Sequence, residues 1–323
     1  MIGYYVHHHG RGHAARARSI CARLDEPVTF FSSLPEPVSM RARDTWVQLP
    51  LDVPADHDEP VDAQCRGRMH WAPLHVAGLA QRAAELLRVA ADAGLRRLVV
   101  DVSVEIATLG RLAGIPVTVM AMPGERTDPA HRLAYDIADQ IVAPWSAEVY
   151  QPPWLRDHLD RTHFVGSISQ FEGRHGAAPS AGTGVLLGGA GGDDLPADAL
   201  EQLRGALPQY RWIWLGVSSW VDDPWPILAS ADVVVTHAGQ NAIADVALTG
   251  AAVIVIPQQR PFGEQVATAC ALARAGLTVE VDRWPAREAW PTLLAQTRTL
   301  DRSRWSRLQV QGAAARAAAV IAA

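Results

Sequence analysis

Two stretches of this chain carry residue types whose spacing could do chemistry on a charged, hydroxylated ligand. The first is His9-Gly-Arg-Gly-His13, a glycine turn that ends in a histidine at the entrance of a helix. Glycines let backbone pass close to a phosphate or a sugar, and an imidazole near neutral pH can take a proton or donate a hydrogen bond. Taken alone, His13 is equally a turn histidine that caps a helix. The second stretch runs from Val233 to Gln265, VVVTHAGQNAIADVALTGAAVIVIPQQRPFGEQ. Its β-branched start reads as a strand buried on both faces, and it ends in His237-Ala-Gly239-Gln240-Asn241. Gly239 permits a sharp turn into a helix over 242–248, whose first N–H groups lack partners and favour an anion. Gly250 closes that helix, 252–256 forms the next strand, and a polar loop over 257–265 lies at that strand's carboxyl end, where doubly wound sheets bind ligands.

Other chemistry-bearing residues surround these two. The glycine run 188–192, including Gly188 and Gly189, follows a strand and could admit a phosphate, with Arg260 as a nearby cation. Asp101 ends a strand and Glu105 starts a helix, so either is a second candidate for a general base; their structural alternatives are a helix cap and a first-turn carboxylate. The Arg126-Thr-Asp128 loop could touch an acceptor or a charge on it, and Arg11, Arg16 and Arg18 are possible anion sites. His7-His8-His9 invites a metal reading, but successive residues of a strand point to opposite faces, so the three cannot converge on one ion. One or two of them would line the acceptor side.

The elements that must position these residues alternate regularly. Strands at 2–6, 28–32, 98–101, 117–120, 140–143 and 163–165, with helices at 14–24, 77–93, 105–113 and 131–138, predict one doubly wound lobe. The stretch 50–73, rich in Pro, Asp and His, reads as a long loop. A second lobe opens with a strand at 184–188, a helix at 198–206 and a strand at 211–216. The expected fold is therefore α/β with two Rossmann-like, doubly wound domains, 1–165 and 166–323, and a cleft between them. A length of 323 residues fits two domains of roughly 150 each. Hydrophobic residues at 49% and charged residues at 20% suit a globular chain with two cores, and a net charge of −5 argues against a general nucleic-acid binder. Three separated cysteines, Cys21, Cys65 and Cys270, lack metal or redox spacing and read as reduced thiols. The N-terminus runs straight into a strand, and no apolar stretch reaches the ~20 residues of a membrane span. These features point to a cytoplasmic protein, with contact at the inner membrane surface left open.

On the motifs of Val233–Gln265 and Gly12-His13, the chain resembles GT-B glycosyltransferases and, within them, the lipid II-forming UDP-N-acetylglucosamine transferases with the family 28 C-terminal domain. The resemblance implies a UDP-sugar as co-substrate, with no cofactor. It places Asp245 on the ribose hydroxyls, where the family prefers Glu, and Glu264 and Gln265 on the donor sugar. It assigns the uracil edge to the backbone of Trp220 or Val221, and a donor-binding role to Gly12, Gly188, Gly189, His237, Gly239, Gln240, Asn241 and Arg260. Where the family often has Ser in the first glycine turn, this chain has Ala190. The matching histidine, His13, lies in the cleft as general base or as a donor to the diphosphate. Asp101, Glu105 and Arg126 fall on the acceptor side, and the last helix, from about 302 to 323, crosses back to the first lobe. Asp56-His57-Asp58 resembles the D-x-D cation site of the other large glycosyltransferase fold, but it lies in a Pro-rich loop, so a metal-independent enzyme is expected. The implied reaction is inverting transfer of a hexose, N-acetylglucosamine included, to a hydroxyl of a lipid-linked sugar, a wall polymer precursor or a small natural product. A nucleotide-sugar hydrolase or UDP-sugar 2-epimerase of the same fold is the alternative, and a bare binding module is a third.

Overall fold

The structure is a computed structural model describing residues 1–8, 12–54, 59–176, 179–189, 195–216 and 219–323. Gly10, Arg11, Asp56-His57-Asp58, Ala190-Gly-Gly192 and Val217-Ser218 lie outside the described residues. Seven short strands build the first sheet: β1 (Ile2–Val6), β2 (Val28–Ser32), β3 (Thr45–Gln48), β4 (Arg97–Asp101), β5 (Val117–Met120), β6 (Gln140–Ala143) and β7 (Thr162–Phe164). All are parallel, in the order β3-β2-β1-β4-β5-β6-β7. Tyr4 sits beside Phe30 on one side and Val99 on the other. Every residue of β1, β2 and β4 is buried, which is why these strands read as unbroken apolar runs rather than alternating ones. β3 gave no such signal because it is a half-exposed edge.

Helices α1 (Gly12–Cys21), α2 (Ala77–Asp92), α3 (Val104–Leu112) and α4 (Pro129–Ile137) flank this sheet. Ser103 caps α3 by accepting from the Ile106 N–H. Asp128 caps α4 by accepting from Ala130 and His131, with Pro129 in the first turn, so this helix starts two residues before the expected His131. The strand order reverses direction between β1 and β4. Loops leaving these two strands diverge to opposite faces and open a crevice at their carboxyl ends.

The second sheet holds β8 (Thr183–Leu187), β9 (Arg211–Leu215), β10 (Val233–Thr236) and β11 (Ala252–Val255), parallel and in the order β11-β10-β8-β9. Its helices are α5 (Ala199–Ala206), α6 (Trp225–Ala229), α7 (Gln240–Val246), α8 (Glu264–Arg274) and α9 (Trp290–Thr299). Here the reversal falls between β8 and β10, so Gly188-Gly189 and His237–Gly239 leave the sheet at the second crevice.

The continuous helix expected from about 302 is interrupted. A 3-10 segment spans Arg302–Leu308, Gln309 (φ 53°) and Gly312 (φ 78°) adopt left-handed backbone, and α10 follows at Ala313–Ala322. Left-handed residues cannot continue a right-handed helix, so the chain redirects there. Trp305 and Leu308 join a core with Val234 and Leu272, whereas Ala313, Ala314, Ala317 and Ile321 join one with Ile2, Tyr4 and Ile20. Arg316 Nε donates to Val165 O at 2.9 Å and the Gly312 N–H to Glu172 Oε1 at 2.8 Å, tying this return to the segment between the sheets. Among the described residues no helix is long and apolar enough to cross a membrane.

Ile321 is fully buried beneath the first sheet. Replacing it with Ala removes three methyl-sized groups from that core, at about 2–4 kcal/mol. Hydrogen exchange should then speed up at amides of β1 and β4, both distant in sequence, and stay unchanged in β8 and β10; the reverse pattern would contradict this packing.

Candidate active site

Three side chains meet at the first crevice. His13, in the first turn of α1, points Nδ1 at Asp101 Oδ1 at the end of β4, 3.0 Å away. Arg16, one turn further along α1, grips the same carboxylate through NH2 to Oδ1 at 2.5 Å and Nε to Oδ2 at 3.2 Å. Asp101 is wholly inaccessible and Arg16 is 4% exposed. Burial alone would push the Asp101 carboxyl up, but the Arg16 guanidinium and His13 beside it hold it well below the usual carboxylate range. An ionised carboxylate only accepts, so the contact with Asp101 is made through a proton on His13 Nδ1, with Arg16 NH2 also 3.2 Å from that nitrogen. Arg16 is therefore no anion site: its charge is consumed by Asp101, and its NH1 donates to Gln240 Oε1 across the crevice at 2.9 Å.

His7 and His8 stand after the end of β1, where strand alternation no longer applies, and His9 lies outside the described residues. His7 and His8 stack at 4.9 Å, His7 lies 5.9 Å from the His13 ring, and His8 Nε2 approaches Asp52 Oδ1 at 3.7 Å. Asp52 also pairs with Arg82, which donates to the Tyr5 hydroxyl at 2.8 Å. Glu105, weighed as a base, has both oxygens engaged: Oε1 accepts from the His70 and Trp71 N–H groups and Oε2 from Ser103. It anchors the long loop to α3. Trp145 is buried in the first-lobe core, its Nε1 donating to Tyr150 O at 3.0 Å.

The second-lobe residues gather opposite His13. Asn241 Nδ2 donates to Gly12 O at 3.0 Å, so the two glycine turns face each other directly. Gly239 has φ −67°, which any residue adopts; what its missing side chain leaves is open space, with nothing within 4 Å of a Cβ placed there. His237 is buried and donates Nδ1–H to Ile256 O. Gln265 is also buried, and its Oε1 accepts from the Ala238 and Gln258 N–H groups at 3.2 and 3.0 Å. It staples the two loops of the crevice together. Arg260 donates to Gln258 Oε1, while Trp220 (55% exposed) and Val221 (38%) line the open rim beyond β9. Gly188, whose N–H donates to Leu215 O, and Gly189 are half-buried at the end of β8.

Asp245 is 7% exposed, and its Oδ1 accepts from Ser169 Oγ at 2.5 Å. Burial pushes its carboxyl up to about 7, against hydrogen bonds from Ser169 and Gln170. Arg126, placed by the sequence on the acceptor side, is 4% exposed and turns to the donor lobe, with NH2 3.6 Å from Glu264 Oε2. Beside it His70, Asp128 and His131 bring three possible metal-ligating atoms within 4.8 Å. Their chemistry is that of a hydrogen-bond hub. Arg126 can only donate to His131 Nε2, at 3.1 Å, which leaves the proton on Nδ1 facing Asp128, where a metal would require a lone pair. Burial pushes His131 down to about 4, keeping it neutral.

With this geometry, residues 196–314 match the glycosyltransferase family 28 C-terminal domain. The whole chain is similar in structure to a UDP-glucosyltransferase from Polygonum tinctorium capable of glucosylating indoxyl, with a TM-score of 0.69 at 14% identity over 100% of this chain and 98% of that one. It is similar to Os79 from O. sativa in complex with UDP, with 0.68 at 13% identity over 100% and 99%, and to MurG of Acinetobacter baumannii, with 0.59 at 14% identity over 99% and 98%. No curated protein matches the chain by sequence. The chain thus has the GT-B glycosyltransferase fold, as its motifs implied, and carries a family 28 C-terminal domain in its second half.

Because the folded value for Asp245 lies above the ordinary 3.8, the folded state holds this proton longer, and stability falls as pH rises through the window from about 4 to 7. Asp245→Asn should escape that loss. Thermal melts at pH 8 are expected to show the variant more stable by roughly 1–3 kcal/mol, with the gain gone at pH 4; an equal gain at both pH values would locate its cause elsewhere.

Proposed function

We propose that this protein transfers a sugar from a UDP-sugar to an acceptor hydroxyl with inversion, His13 acting as the general base and Asp101 as its orienting partner. The observation that carries the reading is the 3.0 Å contact between His13 Nδ1 and a buried, ionised Asp101 at the strand reversal of the first sheet. With Nδ1 turned to that carboxylate, Nε2 is the nitrogen left to take the acceptor's proton, and Asp101 stabilises the imidazolium that forms. The acceptor oxygen attacks the anomeric carbon as its proton passes to Nε2, and the bond from that carbon to the β-phosphate oxygen breaks, releasing UDP.

The donor assignments follow from the resemblance and fit the placement of the second-lobe residues. The open space at Gly239 suits the diphosphate, the exposed backbone around Trp220 and Val221 suits the uracil, and Glu264 suits the hexose hydroxyls. Arg260 supplies a cation near the leaving group. Asp245 as the ribose partner requires its carboxylate to exchange Ser169 for the ribose hydroxyls. The relative Os79 was solved with UDP, which supports a uridine diphosphate in this crevice.

Thermal shift with UDP, other nucleoside diphosphates and UDP-sugars tests the nucleotide first, since a ligand bound only to the folded state raises the melting temperature. His13→Ala should then lower kcat/KM for transfer by about 10²–10⁴-fold while UDP affinity stays within about threefold. Turnover that survives the substitution rules out His13 as the base, and stoichiometric release of free sugar in the absence of acceptor moves the activity to hydrolysis.

A further inference from the structure

The loop that ends in Glu264 is held chiefly by the opposite lobe. The Glu125 N–H donates to Phe262 O at 2.7 Å, and Gly124, at φ +99°, comes so close that a Cβ there would meet Phe262 O at 2.3 Å and Glu264 N at 3.0 Å. Gly124 is itself fixed on both sides, donating to the Tyr150 hydroxyl and accepting from Trp154 Nε1 at 2.8 Å. Arg126 completes the grip. Its guanidinium donates twice to Pro123 O, at 3.0 and 2.8 Å, lies 4.7 Å from the centre of the Phe262 ring, and faces Glu264 Oε2 at 3.6 Å. Phe262 stands at φ 60°, a left-handed conformation that a bulky residue keeps only where its surroundings over-determine it. Here those surroundings are Arg126, His70 and His131 of the first lobe.

We propose that Arg126 and Gly124 form a clamp that positions Glu264 for the donor sugar, so that the sugar is read only when the two lobes are closed. The inference rests on the UDP-sugar reading given above. A carboxylate must be ionised and correctly aimed to accept from two sugar hydroxyls, and burial of Glu264 works against its ionisation while Arg126 works for it. Arg126 is too deeply enclosed to touch a substrate itself, so its effect passes through Glu264 and Phe262. The residues proposed for the uracil and ribose, Trp220, Val221 and Asp245, lie outside this loop, so nucleotide binding depends on the clamp far less than binding of the sugar does.

Titration calorimetry with UDP, UDP-glucose and UDP-N-acetylglucosamine separates these contributions. For Arg126→Ala, affinity for the preferred UDP-sugar should fall about tenfold or more while that for UDP stays within about threefold, and Arg126→Lys should recover part of the loss. Gly124→Ala, which forces Phe262 away without removing a charge, should give the same selective loss. If Arg126 acts through Glu264, adding Arg126→Ala to Glu264→Gln should cost less than about twofold further. Equal weakening of UDP and UDP-sugar, or an undiminished penalty in the Glu264→Gln background, overturns the clamp. A wild-type protein that binds no uridine nucleotide instead overturns the donor reading, and the clamp falls with it; binding of UDP by the wild type keeps the two failures apart.

Discussion

The pairing of one buried carboxylate with one buried guanidinium organises everything around it. Asp101 is sealed from water at the end of β4, where an unpaired charge would cost several kcal/mol, and Arg16 is as deeply enclosed. Each requires the other. Because Arg16 reaches Asp101 from α1 with two nitrogens, the start of α1 is fixed relative to β4, and His13 on the same helix is fixed with it. The remaining nitrogen of Arg16 extends to Gln240 in the second lobe, so one ion pair fixes the position of the imidazole and contributes to the contact between lobes. Removing either partner would therefore disturb the placement of His13, of α1 and of the lobe contact together.

Much of this architecture was legible in the chain because parallel strands announce themselves. Buried on both faces, β1, β4, β5 and β10 had to be continuous apolar runs, and each glycine-bearing turn after them marked a carboxyl end. The pairing of His13 with Asp101 was within reach only as two separate candidates, since 88 residues divide them and no periodicity links them. Arg16 read as a possible anion ligand because a cation's partner is invisible when it lies 85 residues away. Gln265 was read as a sugar contact by resemblance, yet its oxygen is spent on two backbone N–H groups. Side-chain direction within a loop depends on backbone angles that residue identity leaves open, and that is why the packing of this amide was not legible in the chain.

Strain is placed with the same economy. Val102, a β-branched residue at φ 64°, follows Asp101 directly, and Phe262 at φ 60° precedes Glu264 by two positions. Both conformations are unfavourable for their residue types. One follows the carboxylate behind the proposed base and the other stands beside the proposed sugar contact. Strained backbone persists where surrounding contacts outweigh it, and here those contacts are the ion pair on one side and the grip on Phe262 on the other.

The return of the chain after Gln309 has a consequence for biosynthesis. Ile2, Tyr4 and Ile20 leave the ribosome roughly three hundred residues ahead of their apolar cover, Ala313 to Ile321. A nascent first lobe can align its strands, yet it must wait with one face of its central sheet uncovered while the whole second lobe is made. His13 stands on α1, the helix that α10 covers. Competence for chemistry is thus postponed until translation has supplied both halves, and the interval before the final helix docks is the period in which the newborn chain most needs protection from aggregation.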